Sequence, residues 1–245
     1  MKAMILAAGL GTRLRPLTND RPKALVEVAG RTLLEITLMR LCTLGIREVI
    51  VNVHHFADQV IGYLAAKQNF GLRIEISREE ELLDTGGGLK KAAWFFREDN
   101  PDRNQPFLLH NVDVLSTIDL TQMLRAHTGR NALATLAVQA RPTSRPLLFD
   151  EQGQLRGRAT GEPTPYHPQA FCGIHVVSPR IFDSLSESGA FSVIDAYIRL
   201  AAQGEKIRDF PADAFYWRDL GRPESIEKAA ADLRSGLYSI ESKSV

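Results

Sequence analysis

Apolar and polar positions follow two alternating patterns along the first 140 residues. Short apolar runs predict strands at residues 2–8, 48–53, 72–76, 107–110 and 132–138. Apolar residues spaced three and four apart predict helices at residues 32–44, 57–66, 88–96 and 120–126. Strands that alternate with helices are typical of a mostly parallel sheet covered by helices, with its ligand site beyond the carboxyl ends of the strands.

The pattern becomes less regular after residue 141. Residues 147–149 and 154–156 predict a hairpin, and a proline-rich stretch covers 161–168. Strands at 171–177, 207–210 and 215–217 and helices at 193–202 and 223–233 complete the chain. Since there is no internal repeat or low-complexity linker, we expect one domain over residues 1–238. Residues 141–170 would form an insertion or lid, and 239–245 a frayed polar tail.

Composition favours a globular protein with little net charge. The 245 residues include 30 Lys plus Arg and 29 Asp plus Glu, which leaves a net charge of +1. No broad basic face is expected, so nucleic-acid binding is disfavoured. No stretch reaches the ~20 apolar residues that span a bilayer, and the first apolar run stops at Gly9. Cys42 and Cys172 lie too far apart for a paired zinc motif. We therefore expect a cytoplasmic protein with reduced thiols and no membrane partner.

The loop after the first strand is the strongest local signal for chemistry. It is rich in glycine and basic residues and contains Gly9, Gly11, Arg13 and Arg15, with Lys23 a little further on. A dinucleotide fingerprint is not supported, because Leu14 replaces its third glycine, and the Gly-Lys-Ser/Thr of a P-loop is absent. The remaining interpretations are a loop that holds one nucleoside triphosphate and an ordinary glycine turn.

Four segments, in order along the chain, resemble the sugar-1-phosphate nucleotidyltransferase family: residues 4–16 with Arg21-Pro22-Lys23, residues 83–88, residues 109–113, and residues 217–223. Among the members, the sequence is most similar to the N-acetylmuramate-1-phosphate uridylyltransferases and the bacterial mannose- or heptose-1-phosphate guanylyltransferases. The resemblance implies a Rossmann-like three-layer α/β/α fold with a mixed, mostly parallel sheet. It also implies that an NTP and a sugar 1-phosphate give an NDP-sugar and pyrophosphate.

Two aspartates are the expected metal ligands. Asp113 follows the strand predicted at 107–110, and Asp219 follows the strand predicted at 215–217. Carboxylates that converge at strand ends can bind one Mg²⁺, a hard cation that prefers oxygen ligands. An aspartate at a strand end is also a common turn former, and the family resemblance favours the metal. Val112 stands where the family usually has glycine.

The resemblance also implies roles for the residues around these aspartates. Arg13 would contact the β- and γ-phosphates and Lys23 the α-phosphate, so that Arg13, Lys23 and Asp113 are the expected catalytic residues. The expected nucleotide-binding residues are Ala7, Ala8, Gly9, Gly11, Thr12, Arg13, Lys23, Thr85, Gly86 and Gly87. Asn111 and Gly173 are the expected sugar-binding residues. Thr85 could equally cap a helix, and Gly173 could be a glycine in a core strand.

The sequence departs from the family in the sugar-side insertion. Gly161-Glu162-Pro163 stands in place of a Glu-Lys-Pro signature, and no lysine lies between Lys91 and Lys206. Either Arg156 or Arg158 replaces that lysine, or the acceptor phosphate relies on Lys23 and Mg²⁺. The resemblance implies a pocket-side position for Glu81, but the charges in residues 78–82 favour an exposed, solvated loop.

The small residues at positions 7–9 favour UTP by analogy, with GTP second. The acceptor is left open among N-acetylmuramate, mannose, glucose and heptose phosphates. Two functions of other classes also stay open: a regulatory module that binds a nucleotide-sugar without turnover, and a dinucleotide-dependent oxidoreductase. A monomer or a small homo-oligomer is expected.

Overall fold

A computed structural model describes residues 1–98 and 105–239 of the chain. The predicted tail 239–245 lies outside the described residues except for Ser239. In chain order the helices and strands are β1 Lys2–Leu6, β2 Glu27–Val28, β3 Arg31–Thr32, α1 Leu33–Thr43, β4 Glu48–Val53, α2 Ala57–Ala66, β5 Arg73–Arg78, α3 Asp84–Lys91, α4 Ala93–Arg97, β6 Phe107–Asn111, β7 Val114–Ser116, α5 Leu120–Gly129, β8 Ala134–Gln139, β9 Leu147–Phe149, β10 Leu155–Arg158, β11 His167–Val177, α6 Ile181–Ser184, α7 Val193–Ala202, β12 Ile207–Pro211, β13 Trp217–Asp219 and α8 Pro223–Arg234.

The chain divides into two compact units. The first contains Met1–Leu82, His110–Thr117 and the described part of Tyr216–Val245, and the second contains the described parts of Leu83–Leu109 and Ile118–Phe215. Strand β6 crosses the boundary, so that its last two residues belong to the first unit. The prediction of a single domain over residues 1–238 stays a prediction.

Three parallel strands form the centre of the first unit, in the order β1-β4-β5. Their register pairs Leu6 with Asn52 and Asn52 with Ser77, so the carboxyl ends of the strands are aligned. Strand β4 is buried over Val49–Val53, as expected for a strand covered on both faces. Thr32 starts α1 by accepting the N–H of Glu35 at 3.1 Å, and the apolar face of the helix is buried.

A short antiparallel ribbon, β7 with β13, lies in the same unit. Asp219 pairs with Val114 and Trp217 with Ser116. The next helix, α8, begins with a proline at its first turn. Its Asp232 carboxylate accepts Arg218 Nε at 2.8 Å and the hydroxyl of Tyr216 at 2.6 Å. These bonds fix α8 to the strand that ends at Asp219.

The second unit has a sheet of mixed direction. Strand β8 pairs parallel with β12 and antiparallel with β11, and β9 pairs antiparallel with β11 and with β10. The hairpin predicted at 147–149 and 154–156 is confirmed as β9 and β10. The rings of Phe96 and Phe107 stack with centroids 3.8 Å apart, and Phe182 stacks 5.7 Å from Phe107. These aromatic rings supply much of the local core.

The predicted fold class, Rossmann-like α/β with a mixed and mostly parallel sheet, is confirmed. Several predicted bounds are wrong: the strand predicted at 171–177 begins at His167, and the helix predicted at 120–126 continues to Gly129. The helix predicted at 88–96 begins at Asp84 and is divided at Ala92, and the strand predicted at 215–217 is Trp217–Asp219. Within residues 1–98 and 105–239, none of the helices combines the length and apolar character that crossing a bilayer requires.

Candidate active site

The loop that follows β1 closes around Gly11. This glycine has φ +65°, and a Cβ there would lie 3.0 Å from the Thr18 methyl carbon and 3.2 Å from Lys23 Cβ. The Thr18 hydroxyl donates to the Gly11 carbonyl at 2.8 Å. A left-handed backbone and crowded space both require glycine at this position. The conformation of the loop therefore explains why position 11, predicted to bind nucleotide, is a glycine.

The backbone N–H groups of this loop are not all available to a ligand. The N–H of Ala7 donates to Asn52 Oδ1 at 2.7 Å. In the described part of the chain, the N–H groups of Ala8, Gly9 and Gly11 make no hydrogen bond. Successive free N–H groups in a glycine-rich loop can hold an anion, which fits a phosphate chain.

Lys23 and Asp113 form an ion pair at the base of the site. Lys23 Nζ donates to Asp113 Oδ2, and the two side chains are only 13% and 12% exposed. Asp113 lies between β6 and β7, and Lys23 opens a short 3₁₀ turn after Pro22. The pair therefore joins the loop after β1 to the predicted metal ligand.

Gly221 brings Arg13 close to Asp219, the last residue of β13. Its N–H donates to Asp219 Oδ1 at 2.8 Å. A Cβ on Gly221 would lie 2.7 Å from Asp219 Oδ1 and 2.9 Å from Arg13 Nη2. The guanidinium and the carboxylate thus both lie against this glycine, and a larger residue would have to displace one of them.

The two expected metal ligands are held by neighbouring backbone segments. The N–H of Leu220 donates to the carbonyl of Asp113 at 2.8 Å, and Asp219 is opposite Val114 in the ribbon. Among the described residues, no group of three or more His, Cys, Asp or Glu forms a metal cluster. Two carboxylates suit a hard cation such as Mg²⁺, which keeps several waters or phosphate oxygens as its other ligands.

Thr85, Gly86 and Gly87 lie in the second unit, in the first turns of α3. The N–H groups of Gly86 and Gly87 donate to the Phe191 carbonyl at 2.8 and 3.4 Å. The Thr85 hydroxyl accepts the N–H of Val193 at 3.0 Å, at the start of α7. A Cβ on Gly86 would lie 2.3 Å from the Phe191 ring. Packing alone thus explains the glycines, and their nucleotide-binding role stays a prediction.

The two predicted sugar-binding residues belong to different units. Asn111 ends β6, and its carbonyl accepts Nδ1–H of the buried His110 at 2.7 Å. Burial, together with the nearby Arg40, lowers the pKa of His110 to about 3. Gly173 has φ +73° at the irregularity in β11 between Phe171 and His175. A bulge with a left-handed residue accounts for a glycine there.

The arginines considered as replacements for the missing lysine are both engaged. Arg156 pairs with Asp150 at 2.6 Å, and Arg158 pairs with Asp195 at 2.6 Å. An acceptor phosphate would have to compete with these carboxylates for either guanidinium.

The expectation that residues 78–82 form an exposed loop is wrong for Glu79. That side chain is 2% exposed and accepts Asn52 Nδ2 at 2.8 Å, whereas Glu81 is exposed as expected. Sequence reasoning gave Glu79 and Gly221 no role, and it favoured only a structural or pocket-edge role for the segment that begins at Asn52. Asn52 and Glu79 could have been found by the rule that selected Asp113, because each lies at or just after the carboxyl end of a strand.

A buried histidine–serine pair in the second unit is structural. Ser178 donates its hydroxyl proton to the Ala132 carbonyl at 2.9 Å, so His127 Nε2–H must donate to Ser178 Oγ, also at 2.9 Å. His127 Nδ1 then accepts from the Thr135 hydroxyl at 3.0 Å. Burial lowers the pKa of His127 to about 4. The ring cannot take the serine proton in this arrangement, so it does not activate a nucleophile.

Comparison with known proteins agrees with this geometry. Residues 2–149 match the family model described as nucleotidyl transferase. The chain is 36% identical over 246 residues to an N-acetylmuramate alpha-1-phosphate uridylyltransferase from Caulobacter vibrioides, with 95% of this chain and 96% of that protein covered. It is 33% identical to a mannose-1-phosphate guanylyltransferase from Mycobacterium tuberculosis, with 96% of this chain but 65% of that protein covered.

The fold is shared with solved structures. HddC from Yersinia pseudotuberculosis, complexed with GMP-PN, superposes with a TM-score of 0.75 at 21% identity, covering 95% of this chain and 99% of that one. The family match covers more than half of the chain and extends over the loop after β1 and Asp113. The chain therefore belongs to the nucleotidyl transferase family, among the sugar-1-phosphate nucleotidyltransferases.

Proposed function

We propose that this protein transfers a uridylyl group from UTP to N-acetylmuramate 1-phosphate, with Mg²⁺ as cofactor. The 36% identity to the Caulobacter uridylyltransferase along nearly all of both chains supports this choice. The small residues Ala7, Ala8 and Gly9 support it by analogy. Guanylyl transfer to mannose or heptose phosphate is the second candidate, favoured by the 33% identity to the mycobacterial guanylyltransferase.

The observation that carries the proposal is the charge set of the first unit. Lys23 pairs with Asp113, and Arg13 lies with Asp219 against Gly221. A reaction between two polyanions is limited by charge repulsion, so a site for it needs positioned cations. A module that only binds a nucleotide-sugar has less need for two cations and two carboxylates together.

The proposed reaction is a single in-line displacement. A phosphate oxygen of the sugar 1-phosphate attacks the α-phosphorus, a new P–O bond forms, and the bond to the β-phosphate oxygen breaks to release pyrophosphate. Arg13 neutralises the leaving β- and γ-phosphates. Lys23 exchanges its bond to Asp113 for one to the α-phosphate and stabilises the charge that develops there.

Asp113 and Asp219 would hold Mg²⁺, which neutralises phosphate charge when it is bound. The free N–H groups of Ala8, Gly9 and Gly11 would bind phosphate oxygens, beside Thr12. We retain Thr85, Gly86 and Gly87 as proposed nucleotide contacts. Asn111 and Gly173 remain the proposed sugar contacts, and the cytoplasm the proposed location.

The test is pyrophosphate release from each of four NTPs with several sugar 1-phosphates in the presence of Mg²⁺. UTP with N-acetylmuramate 1-phosphate should give the highest rate. Asp113→Asn should abolish turnover, whereas Asp58→Asn, at an exposed carboxylate paired with Arg78, should not. Nucleotide-sugar binding without pyrophosphate release from any pair would support the regulatory module instead.

A further inference from the structure

A buried polar chain links the ends of β5 and β4 to the loop after β1. Glu79 Oε1 accepts Asn52 Nδ2 at 2.8 Å, and Asn52 Oδ1 accepts the N–H of Ala7 at 2.7 Å. Both residues are buried, each with 2% of its surface exposed. The N–H of Glu79 donates to the Val53 carbonyl at 2.8 Å, which fixes the backbone that presents its carboxylate.

The direction of each hydrogen bond follows from the groups present. The amide oxygen of Asn52 must accept from the backbone N–H, so its NH₂ faces the carboxylate of Glu79. The side chain is thus held in one orientation by a bond at each end. In a buried position such an oriented amide is costly to disturb, because either partner would lose its hydrogen bond without gaining water.

Ala7 is the point at which β1 ends and the loop begins. Its N–H is the last one fixed before the free N–H groups of Ala8 and Gly9. The bond fixes the plane of the Leu6–Ala7 peptide. Because peptide units are planar, only φ and ψ of Ala7 then separate this fixed plane from the peptide that carries the N–H of Ala8. Because the N–H of Ala7 is bonded to Asn52, it is not available to a triphosphate.

We propose that Asn52 is a positioning residue for nucleotide binding, oriented by Glu79, and that it presets the N–H groups of Ala8 and Gly9. This inference rests on the proposed function for the identity of the ligand. The bond between Asn52 and Ala7 itself can be measured without any ligand.

Exchanging the amide and the carboxylate between positions 52 and 79 tests the hydrogen bonds that join Glu79, Asn52 and Ala7 without removing them. Asn52→Asp keeps the acceptor for Ala7 but places two carboxylates together. Glu79→Gln keeps an acceptor for Asn52. In the double variant Asn52→Asp/Glu79→Gln, the amide introduced at position 79 donates to the carboxylate introduced at position 52, so that the inner bond is restored with its polarity reversed.

Two measurements are made on each variant. Asn52→Ala, which removes both hydrogen bonds of the side chain, is included for comparison. Amide hydrogen exchange of Ala7, Ala8 and Gly9 is measured by NMR in the absence of nucleotide. Equilibrium binding of UTP and the separate KM values for UTP and sugar phosphate are then measured with Mg²⁺. A lost hydrogen bond of ordinary strength corresponds to about a tenfold change in affinity.

For Asn52→Ala and Asn52→Asp we expect faster exchange at Ala7, whose N–H is bonded to Asn52, about tenfold weaker UTP binding, and a sugar-phosphate KM within about twofold of wild type. The double variant should recover UTP binding to within about threefold. Normal UTP binding with unchanged loop exchange in Asn52→Ala would overturn the proposal, as would a double variant no better than Asn52→Asp.

Failure of the proposed function gives a different result. In that case the wild-type protein would not bind UTP, while the exchange at Ala7 would still depend on Asn52. If Asn52→Ala does not fold, the comparison between Asn52→Asp and the double variant decides the question.

Discussion

The ion pair between Lys23 and Asp113 predicts a specific pattern of stability in the absence of ligand. Lys23→Met leaves the carboxylate of Asp113 without its cation, and Asp113→Asn leaves the ammonium of Lys23 without its anion. Removing one partner of a buried pair costs about 3–5 kcal/mol of unfolding free energy. Because the two side chains keep 13% and 12% of their surface exposed, we expect the lower end of that range, about 3 kcal/mol for each single variant.

The double variant Lys23→Met/Asp113→Asn should lose less than either single variant, about 1 kcal/mol, because neither charge is then left alone. Unfolding free energies come from urea denaturation at pH 7.5 with chelator. The matched control is the same double-mutant cycle on Arg78 and Asp58, whose side chains are 56% and 81% exposed. We expect a coupling free energy below about 1 kcal/mol between these two residues.

Repeating the denaturation with Mg²⁺ tests the proposed metal ligand separately from the ion pair. Mg²⁺ at ten times its Kd should raise the stability of Lys23→Met by about 1.4 kcal/mol and leave Asp113→Asn unchanged. The reasoning about burial fails if Lys23→Met is as stable as wild type. The metal assignment fails if Mg²⁺ stabilises both variants equally.

Three further predictions concern other parts of the chain. Gly221→Ala should lower kcat at least tenfold with little change in stability, because its methyl group would lie 2.7 Å from a site carboxylate; Gly62→Ala, in open space on α2, should leave kcat unchanged, and equal rates would refute the crowding argument. Gly86→Ala should destabilise the protein by about 2 kcal/mol in thermal unfolding, because the new methyl group would lie 2.3 Å from a phenylalanine ring, and an unchanged Tm would contradict this. Below pH 6.5 the unfolded chain protonates His110 and His127, whereas burial lowers their pKa in the folded chain to about 3 and about 4. The free energy of unfolding should therefore fall on acidification, by about 2 kcal/mol per histidine at pH 5. His110→Gln and His127→Gln should each flatten the urea-measured pH dependence, and an unchanged slope would refute the assignment.

Much of the fold could be predicted from hydrophobic periodicity. The helices Ala57–Ala66 and Val193–Ala202 and the strand Glu48–Val53 have the predicted bounds, because their apolar positions match one period without interruption. The start of α3 was missed because Gly86 and its neighbours are poor helix formers. Their helical conformation is supported by bonds to Phe191, which is more than 100 positions away and cannot be read from local sequence.

Candidate site residues could be selected from the sequence where the chemistry lies in a single side chain, and their roles stay predictions. Asp113 could be identified from its place after an apolar strand, and Asp219 from its place at the end of one. Gly221 could not be assigned in this way. Asn52 could be located at a strand end but not given its role, because that role depends on which atoms face its side chain. An asparagine has no special value until a backbone N–H and a carboxylate are placed on its two sides.

The ribbon that pairs Asp219 with Val114 has a consequence for how this chain can change in length. Side chains alternate between the two faces of a strand. Inserting or deleting one residue within β7 or β13 would therefore shift the register that places Asp219 opposite Val114, next to Asp113. Surface loops elsewhere can absorb such changes. Libraries and natural variants should therefore tolerate substitutions around this ribbon far better than a gain or loss of a single codon inside it.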